Sequence, residues 1–255
     1  MKVNKLKKPF FSVITVVKND EKNIDKTIKS ILNQNFKNFE YIVIDGNSVD
    51  RTLLKIKKYQ KNIDHIVSEN DKGIYFAMNK GAKLAKGKVV VFINSGDIIK
   101  KKALSIIHKI FLKNHNISFV FGTVIRNYTK KTVLKYGFSK KKLNYNFDFA
   151  TTHSVGFYLR SDIFKKLGFF NTKYKCSSDY DLYYKLIITH KKSGAHTKKN
   201  EIIGEVAQGG YSSKVSFIDH LFEEFKIRLD NNQNLFFILI IFINALMKHL
   251  FKKVF

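Results

Sequence analysis

Apolar residues come in short runs at regular intervals along the chain. "FSVITVV" (11–17), "FEYIVID" (39–45), "HIVS" (65–68), "VVVFIN" (89–94) and "SFVFGTVI" (118–125) read as strands. Most of these runs are continuous and rich in Val and Ile, as in strands buried on both faces of a parallel sheet. Between them the spacing becomes helical. In "DEKNIDKTIKSILNQ", Ile24, Ile28, Ile31 and Leu32 fall on one face at steps of four and three. "DRTLLKIKKYQK" predicts a second helix with Asp50 as its N-cap. "KGIYFAMNKGAKLAKG" predicts a third, stopped at Gly87. Strand and helix in alternation predict an α/β fold, Rossmann-like and doubly wound, with a mostly parallel central sheet flanked by helices. Its ligand site is expected beyond the carboxyl ends of the strands.

The rhythm breaks after about residue 126. "TKKTVLKYGFSKKKLNYNF" reads as a strand and a loop, "SDIFKKLGFF" and "SDYDLYYKLIITHKK" as two helices, and "EIIGEVAQGGYSS" as a strand and turn. One last helix is predicted from about 217 to 251. It contains "LFFILIIFINALM" followed by "KHLFKKVF". Thirteen apolar residues are too few to span a bilayer, which needs about 20. Flanked by lysines, they suit a helix lying in the membrane interface, with a buried helix or an oligomer contact as the alternatives.

Charge sharpens the choice of partners. The chain carries 47 Lys and Arg against 20 Asp and Glu, a formal charge of +27 over 255 residues. Part of this is compositional bias, since Lys far outnumbers Arg. The rest favours anionic partners such as nucleic acid, anionic lipid or phosphorylated substrates. The positive charge is spread along the whole chain without a recognition motif, which argues against a specific nucleic-acid-binding protein. The single Cys176 excludes an internal disulfide or a cysteine-built zinc site, and suits a reducing compartment. The N-terminus, "MKVNKLKKPFFSVITVV", lacks a small-residue cleavage site and reads as a first strand rather than a signal peptide.

Three strand ends carry polar clusters. These are Thr15 with Asn19, Asp45 with Asp50, and Asn94 and Ser95 with Asp97. Each alone is ordinary turn chemistry. At the ends of neighbouring strands they would form one polar crevice. Asp45 has no basic neighbour in sequence, which leaves its carboxylate to accept from a ligand. Acidic residues concentrated in so basic a chain suggest a divalent cation, Mg²⁺ or Mn²⁺, on a diphosphate, with Asp97 as its leading ligand. "KCSSDYDLYYKL" puts Asp179 and Asp181 at a helix start, where the dipole alone favours them, or where one is a general base. His153 could donate to a phosphate or bind the metal. A nucleotidyltransferase would share the core and metal, but "TVVKNDEKN" has no glycine to grip a triphosphate.

Taken in order, "FSVITVVKNDEKNIDKTIKSILNQNFKNFEYIVIDGNSVDRT", "SENDKGIYFAMNKGAKLAKGKVVVFINSGD", "THSVGFYLRSDIFKKLGFFNTKYKCSSDYDLYYKL" and "GGYSS" resemble the family 2 glycosyltransferases of bacterial surface-polysaccharide synthesis, which have the GT-A fold. The resemblance covers about residues 10–213. It implies a glycosyltransferase domain over 1–213, leaving a C-terminal amphipathic and apolar helical region over 214–255 whose pattern makes it a possible membrane-interface anchor. It implies that Thr15, Val17 and Asp45 bind the donor base, that Asp97 holds the metal on the diphosphate, and that Asp179 is the catalytic base of an inverting displacement. The donor would be a nucleotide-sugar, a UDP-sugar first of all. The acceptor would be a glycan or lipid-linked hydroxyl, and the location the cytoplasmic face of the membrane. Three positions depart from the pattern: Gly96 and Phe76 stand where Asp is common, and Lys18 where Tyr is often found. An inactive or partner-dependent homologue is the alternative these departures raise.

Overall fold

The structure is a computed structural model and describes residues 8–128, 131–145, 154–210 and 215–254. The first half alternates as expected: β1 (Phe11–Val17), α1 (Ile24–Leu32), β2 (Phe39–Asp45), α2 (Thr52–Lys57), β3 (His65–Ser68), α3 (Ile74–Leu84), β4 (Val89–Phe92), β5 (Ile98–Ile99) and α4 (Ala103–Lys113). The second half runs β6 (Phe119–Phe121), β7 (Thr123–Asn127), β8 (Thr132–Lys135), α5 (Lys140–Tyr145), β9 (Phe157–Arg160), α6 (Ser161–Lys166), α7 (Ser178–Tyr184), β10 (Gly194–His196), β11 (Ile202–Val206), α8 (Phe217–Asp230) and α9 (Leu235–Val254).

Seven strands form the central sheet in the order β10-β6-β9-β4-β1-β2-β3. All pairs are parallel except the two made by β9, which runs antiparallel between β4 and β6. Both faces are covered, which is why the strands read as unbroken apolar runs. Ile14, Ile42, Ile44, Val90 and Phe92 point to one side with α3, α6 and α7. Phe11, Val13, Tyr41, Val43 and Val91 point to the other with α1 and α4. The strand order reverses at β1, between β2 and β4, so the crevice favoured for a ligand opens beyond the carboxyl ends of β1 and β4.

The run 118–125 is two strands rather than one. The chain leaves the central sheet at Gly122 and enters a four-stranded sheet, β5-β11-β7-β8. A Cβ at Gly122 would lie 1.8 Å from Ile203 Cδ1, so only glycine permits this close crossing. The expected loop after β8 contains α5. The expected single C-terminal helix is also two. Asn231 ends α8, Asn232 adopts φ +56°, and the Asn234 side chain accepts from the Phe236 N–H as α9 begins. Asparagine tolerates the left-handed conformation that ends a helix. Ring contacts of Phe217 with His249 and of Phe222 and Phe225 with Phe242 make the two helices an antiparallel hairpin.

Candidate active site

The loops after β1 and β2 are laced together. Asn19 adopts φ +51°, its N–H donates to Ser48 Oγ, and its Oδ1 accepts from the Val49 N–H. Asp20 N–H donates to Thr52 Oγ1, and Glu21 N–H to Asp50 Oδ2. Asp50 also accepts from the Thr52 N–H, capping α2 from one position before its N-cap, Arg51. Asp45 is fully buried, and its carboxylate accepts from the Ser48 N–H, Ser48 Oγ and Ser68 Oγ. It is therefore already anchored within the protein, although a carboxylate has about four acceptor positions. Thr15 and Val17 are buried, and Thr15 Oγ1 accepts from the Tyr41 hydroxyl at 3.1 Å. Their side chains lie on the face of the sheet that packs on α1.

The loop after β4 closes on the loop after β1. Ser95 Oγ donates to Asp20 Oδ2 at 2.7 Å, and the Gly96 N–H to Thr27 Oγ1 at 2.9 Å. Asp97 is 6% exposed. Its Oδ1 accepts from the Ala207 N–H at 2.9 Å, and its Oδ2 faces Ser154 Oγ at 3.5 Å. Burial pushes its carboxyl up to about 7, against the two hydrogen bonds. Ser154 Oγ in turn accepts from Asn94 Nδ2, while Asn94 Oδ1 is buried without a hydrogen-bond partner. His153 and the "YSS" of the "GGYSS" segment lie outside the described residues.

Asp179 stands at the start of α7, on the side of the sheet where α3 begins. The Tyr75 hydroxyl, from the first turn of α3, lies 3.0 Å from both Asp179 Oδ1 and the Cys176 carbonyl. A phenol has one hydrogen, so it serves one of these acceptors at a time. The Tyr180 N–H donates to Asp179 Oδ1 as well. Asp179 keeps a partly open face, yet burial pushes its carboxyl up to about 6, moderated by the bonds from Tyr75 and Tyr180 and by the nearby His220. Asp181 is turned away into the protein, between Lys185 and Asn231. The structure thus separates the two carboxylates of "SDYD": Asp179 keeps a partly open face beside Tyr75 at the start of α3, and Asp181 ties helices together.

Three groups of this site escape sequence reading. Asp20 lies in a polar run that reads as a turn, and Tyr75 sits within an apolar helical face. Glu224 of α8 is pushed up to about 8 by burial and by the charges of Asp179 and Glu223, against the attraction of Arg228. Only its place in the fold connects it with the site.

Residues 12–168 match the sequence profile of glycosyl transferase family 2. The chain belongs to that family. A relative in Escherichia coli is the UDP-Glc:alpha-D-GlcNAc-diphosphoundecaprenol beta-1,3-glucosyltransferase WfgD, 28% identical over 198 residues, which are 65% of this chain and 77% of that protein. Staphylococcus aureus TarS, residues 1–349 in complex with UDP, superposes with a TM-score of 0.68 at 20% identity, covering 94% of this chain and 71% of that one. The mannosyltransferase PcManGT of Pyrobaculum calidifontis, in complex with GDP-Man and Mn²⁺, gives 0.66 at 16% identity, covering 94% and 69%. This family 2 glycosyltransferase therefore shares the GT-A fold of both, and the crevice at the β1/β4 switch point is its candidate active site.

Proposed function

We propose that the protein transfers a sugar, with inversion, from a nucleotide-sugar to a hydroxyl of a glycan or lipid-linked acceptor in surface-polysaccharide assembly. The observation that carries this reading is the placement of two carboxyls beyond the carboxyl ends of the central strands, Asp97 in the loop after β4 and Asp179 at the start of α7 beside the first turn of α3, with burial raising both. Asp179 is ionised at neutral pH, yet more basic than an ordinary carboxylate, which suits a general base. In the step it takes the acceptor hydroxyl proton as that oxygen bonds to the anomeric carbon. The bond from that carbon to the diphosphate breaks, and its electrons leave with the nucleotide. A UDP-sugar is the first donor to test, since WfgD is named for UDP-Glc and TarS is solved with UDP.

The residues present fit a divalent ion. Asp97 is a carboxylate pushed up by burial, and Asn94 Oδ1 beside it is buried without a hydrogen-bond partner among the described residues. Among the described residues no three His, Cys, Asp or Glu converge on one point. Ions on nucleotide diphosphates use one or two protein carboxylates and take their other oxygens from phosphate and water. Asp97 would hold Mn²⁺ or Mg²⁺, which when bound would neutralise the departing diphosphate.

Among the described residues no helix is long and apolar enough to cross a membrane. The outer side of α9 nevertheless exposes Phe236, Ile240, Ile243, Met247 and Leu250, at steps of four and three, with Phe237 and Leu239 widening the stripe. No acidic residue occurs from 235 to 254, while Lys248, Lys252 and Lys253 do. A wide apolar face bordered by lysines matches an anionic bilayer surface better than the narrow seam of a helix pair. A peripheral position on the inner face of the membrane follows from this reading.

The deciding experiment is transfer from UDP-sugars by the wild type and Asp179→Asn, with the product's anomeric configuration read by NMR. Inverted product from the wild type and none from the variant, at unchanged UDP affinity, is expected. A retained configuration, or full activity of the variant, overturns the assignment.

A further inference from the structure

The C-terminal hairpin reaches the loop that carries the proposed base. Glu223 of α8 accepts from three successive backbone N–H groups: Lys175 at 2.6 Å, and Cys176 and Ser177 at 2.9 Å each. The Cys176 thiol donates to the same carboxylate at 3.1 Å. Consecutive N–H groups turned to one point form an anion nest, here filled by a side chain from 46 to 48 residues away. Bonds to a charged acceptor are about twice as strong as neutral ones. Burial would raise the Glu223 carboxyl, but the bonds from Cys176, Lys175 and Ser177 hold it below its ordinary value.

The Cys176 residue is therefore gripped from both sides. Its N–H is held by Glu223, and its carbonyl lies against the Tyr75 hydroxyl, which also reaches Asp179. Other bonds press α8 onto the same region. Tyr174 donates to Asp230, Asn231 Nδ2 to Asp181 Oδ1 at 2.9 Å, and Ser177 Oγ lies 3.3 Å from His220 Nδ1.

We propose that Glu223 is a positioning residue for sugar transfer: it fixes the backbone of residues 175–177, and so sets where Asp179 meets the acceptor hydroxyl. This rests on the reading of Asp179 as the base. Both Glu223 carboxylate oxygens are taken up by donors of residues 175–177, so its loss should act on the chemical step and spare donor binding. A misplacement of the order of 1 Å at a reacting group costs about a hundredfold in rate, so even partial release of the loop is measurable.

The test compares wild type, Glu223→Ala, Glu223→Gln and Asp179→Asn at saturating acceptor, with UDP affinity measured by calorimetry. Glu223→Ala is expected to lose about tenfold or more in kcat, with donor KM and UDP Kd within about twofold of wild type. Glu223→Gln keeps an acceptor oxygen and recovers part of the loss. Glu223→Ala with kcat within about twofold of wild type overturns the proposal, as does, in a folded variant, a joint loss of kcat and donor affinity that Glu223→Gln does not relieve. Should Glu223→Ala fail to fold, Glu223→Asp decides: it keeps the charge but withdraws the carboxylate, and an unchanged kcat overturns the proposal. An active Asp179→Asn instead refutes the assignment of the base, which separates the two failures.

Discussion

Gly96 is where the smallest side chain has the largest consequence. It adopts φ +95°, and a Cβ there would lie 2.8 Å from the Ala207 methyl. Asp20 Oδ2 lies 3.9 Å from that same point, held by Ser95. The space that an aspartate at 96 would enter is thus bordered by a carboxylate from the neighbouring loop. Gly96→Asp should destabilise the fold by about 1–3 kcal/mol, from backbone strain and the Ala207 contact, as read by chemical denaturation. At Asp97, replacement by Ala should remove the Mn²⁺-dependent part of UDP binding in a calorimetric titration; binding that responds to Mn²⁺ as in the wild type would refute its role as ligand. As the proposed base, Asp179 would set the pH dependence. Its folded-state carboxyl is raised to about 6 from an ordinary 3.8, so the ionised form is the disfavoured one. The rate should fall as pH drops through about 6, because the base becomes protonated. Stability runs the other way: the folded state holds its proton where the unfolded state has lost it, so this group's contribution weakens as pH rises from about 4 to about 6. Tyr75→Phe removes a donor to the charged form and should move the acidic limb of the kcat profile upward; an unmoved limb would show that Tyr75 does not tune the base.

The elements differ in how openly the chain announces them. Strands β1, β2 and β4 are legible because burial on both faces forces continuous apolar runs, the edge strand β3 by its short Ile-Val pair, and α1 because one face meets the sheet. The antiparallel β9 carries no mark of direction, since its pairing depends on partners far along the chain. The switch of sheets at Gly122 is equally silent, because its cause is the side chain of Ile203. Much the same holds within the site. Asp97 and Asp179 stand in motifs that resemblance picks out, whereas Tyr75 meets Asp179 across 104 residues, and Glu223 looks like any charge on an amphipathic helix. The hairpin offers a test at this scale. Replacing Phe236, Ile240 and Ile243 together by Ser should abolish sedimentation with phosphatidylglycerol vesicles while leaving nucleotide binding intact. Unchanged sedimentation removes the lipid reading, and a protein that is a stable dimer in solution, dissociated by the same changes, assigns the face to a second copy.

Over the whole molecule, a charge of +27 surrounds a site whose two proposed working groups are carboxylates. The excess of lysine favours approach to anionic surfaces and diphosphates alike, with each lysine near a charged bilayer contributing about 1 kcal/mol. Vesicle binding should therefore weaken with salt more steeply than nucleotide binding, in which buried groups take part. The two helices after β11 present two different sides. The outer side of α9 exposes an apolar stripe and α8 exposes Phe217, Ile218 and Phe222 among charged residues, while the inner side of α8 holds residues 175–177 through Glu223 and buries Arg228 between Tyr180, Tyr184 and the Leu143 carbonyl. The chain's one thiol lies at that seam. Cys176 is 7% exposed, and burial with the adjoining Glu223 charge pushes its ionisation up to about 12. A thiol so placed reacts with a disulfide reagent only when α8 lifts away. Labelling kinetics on the unmodified chain would thus time the opening of the loop at residues 175–177, without any engineered probe.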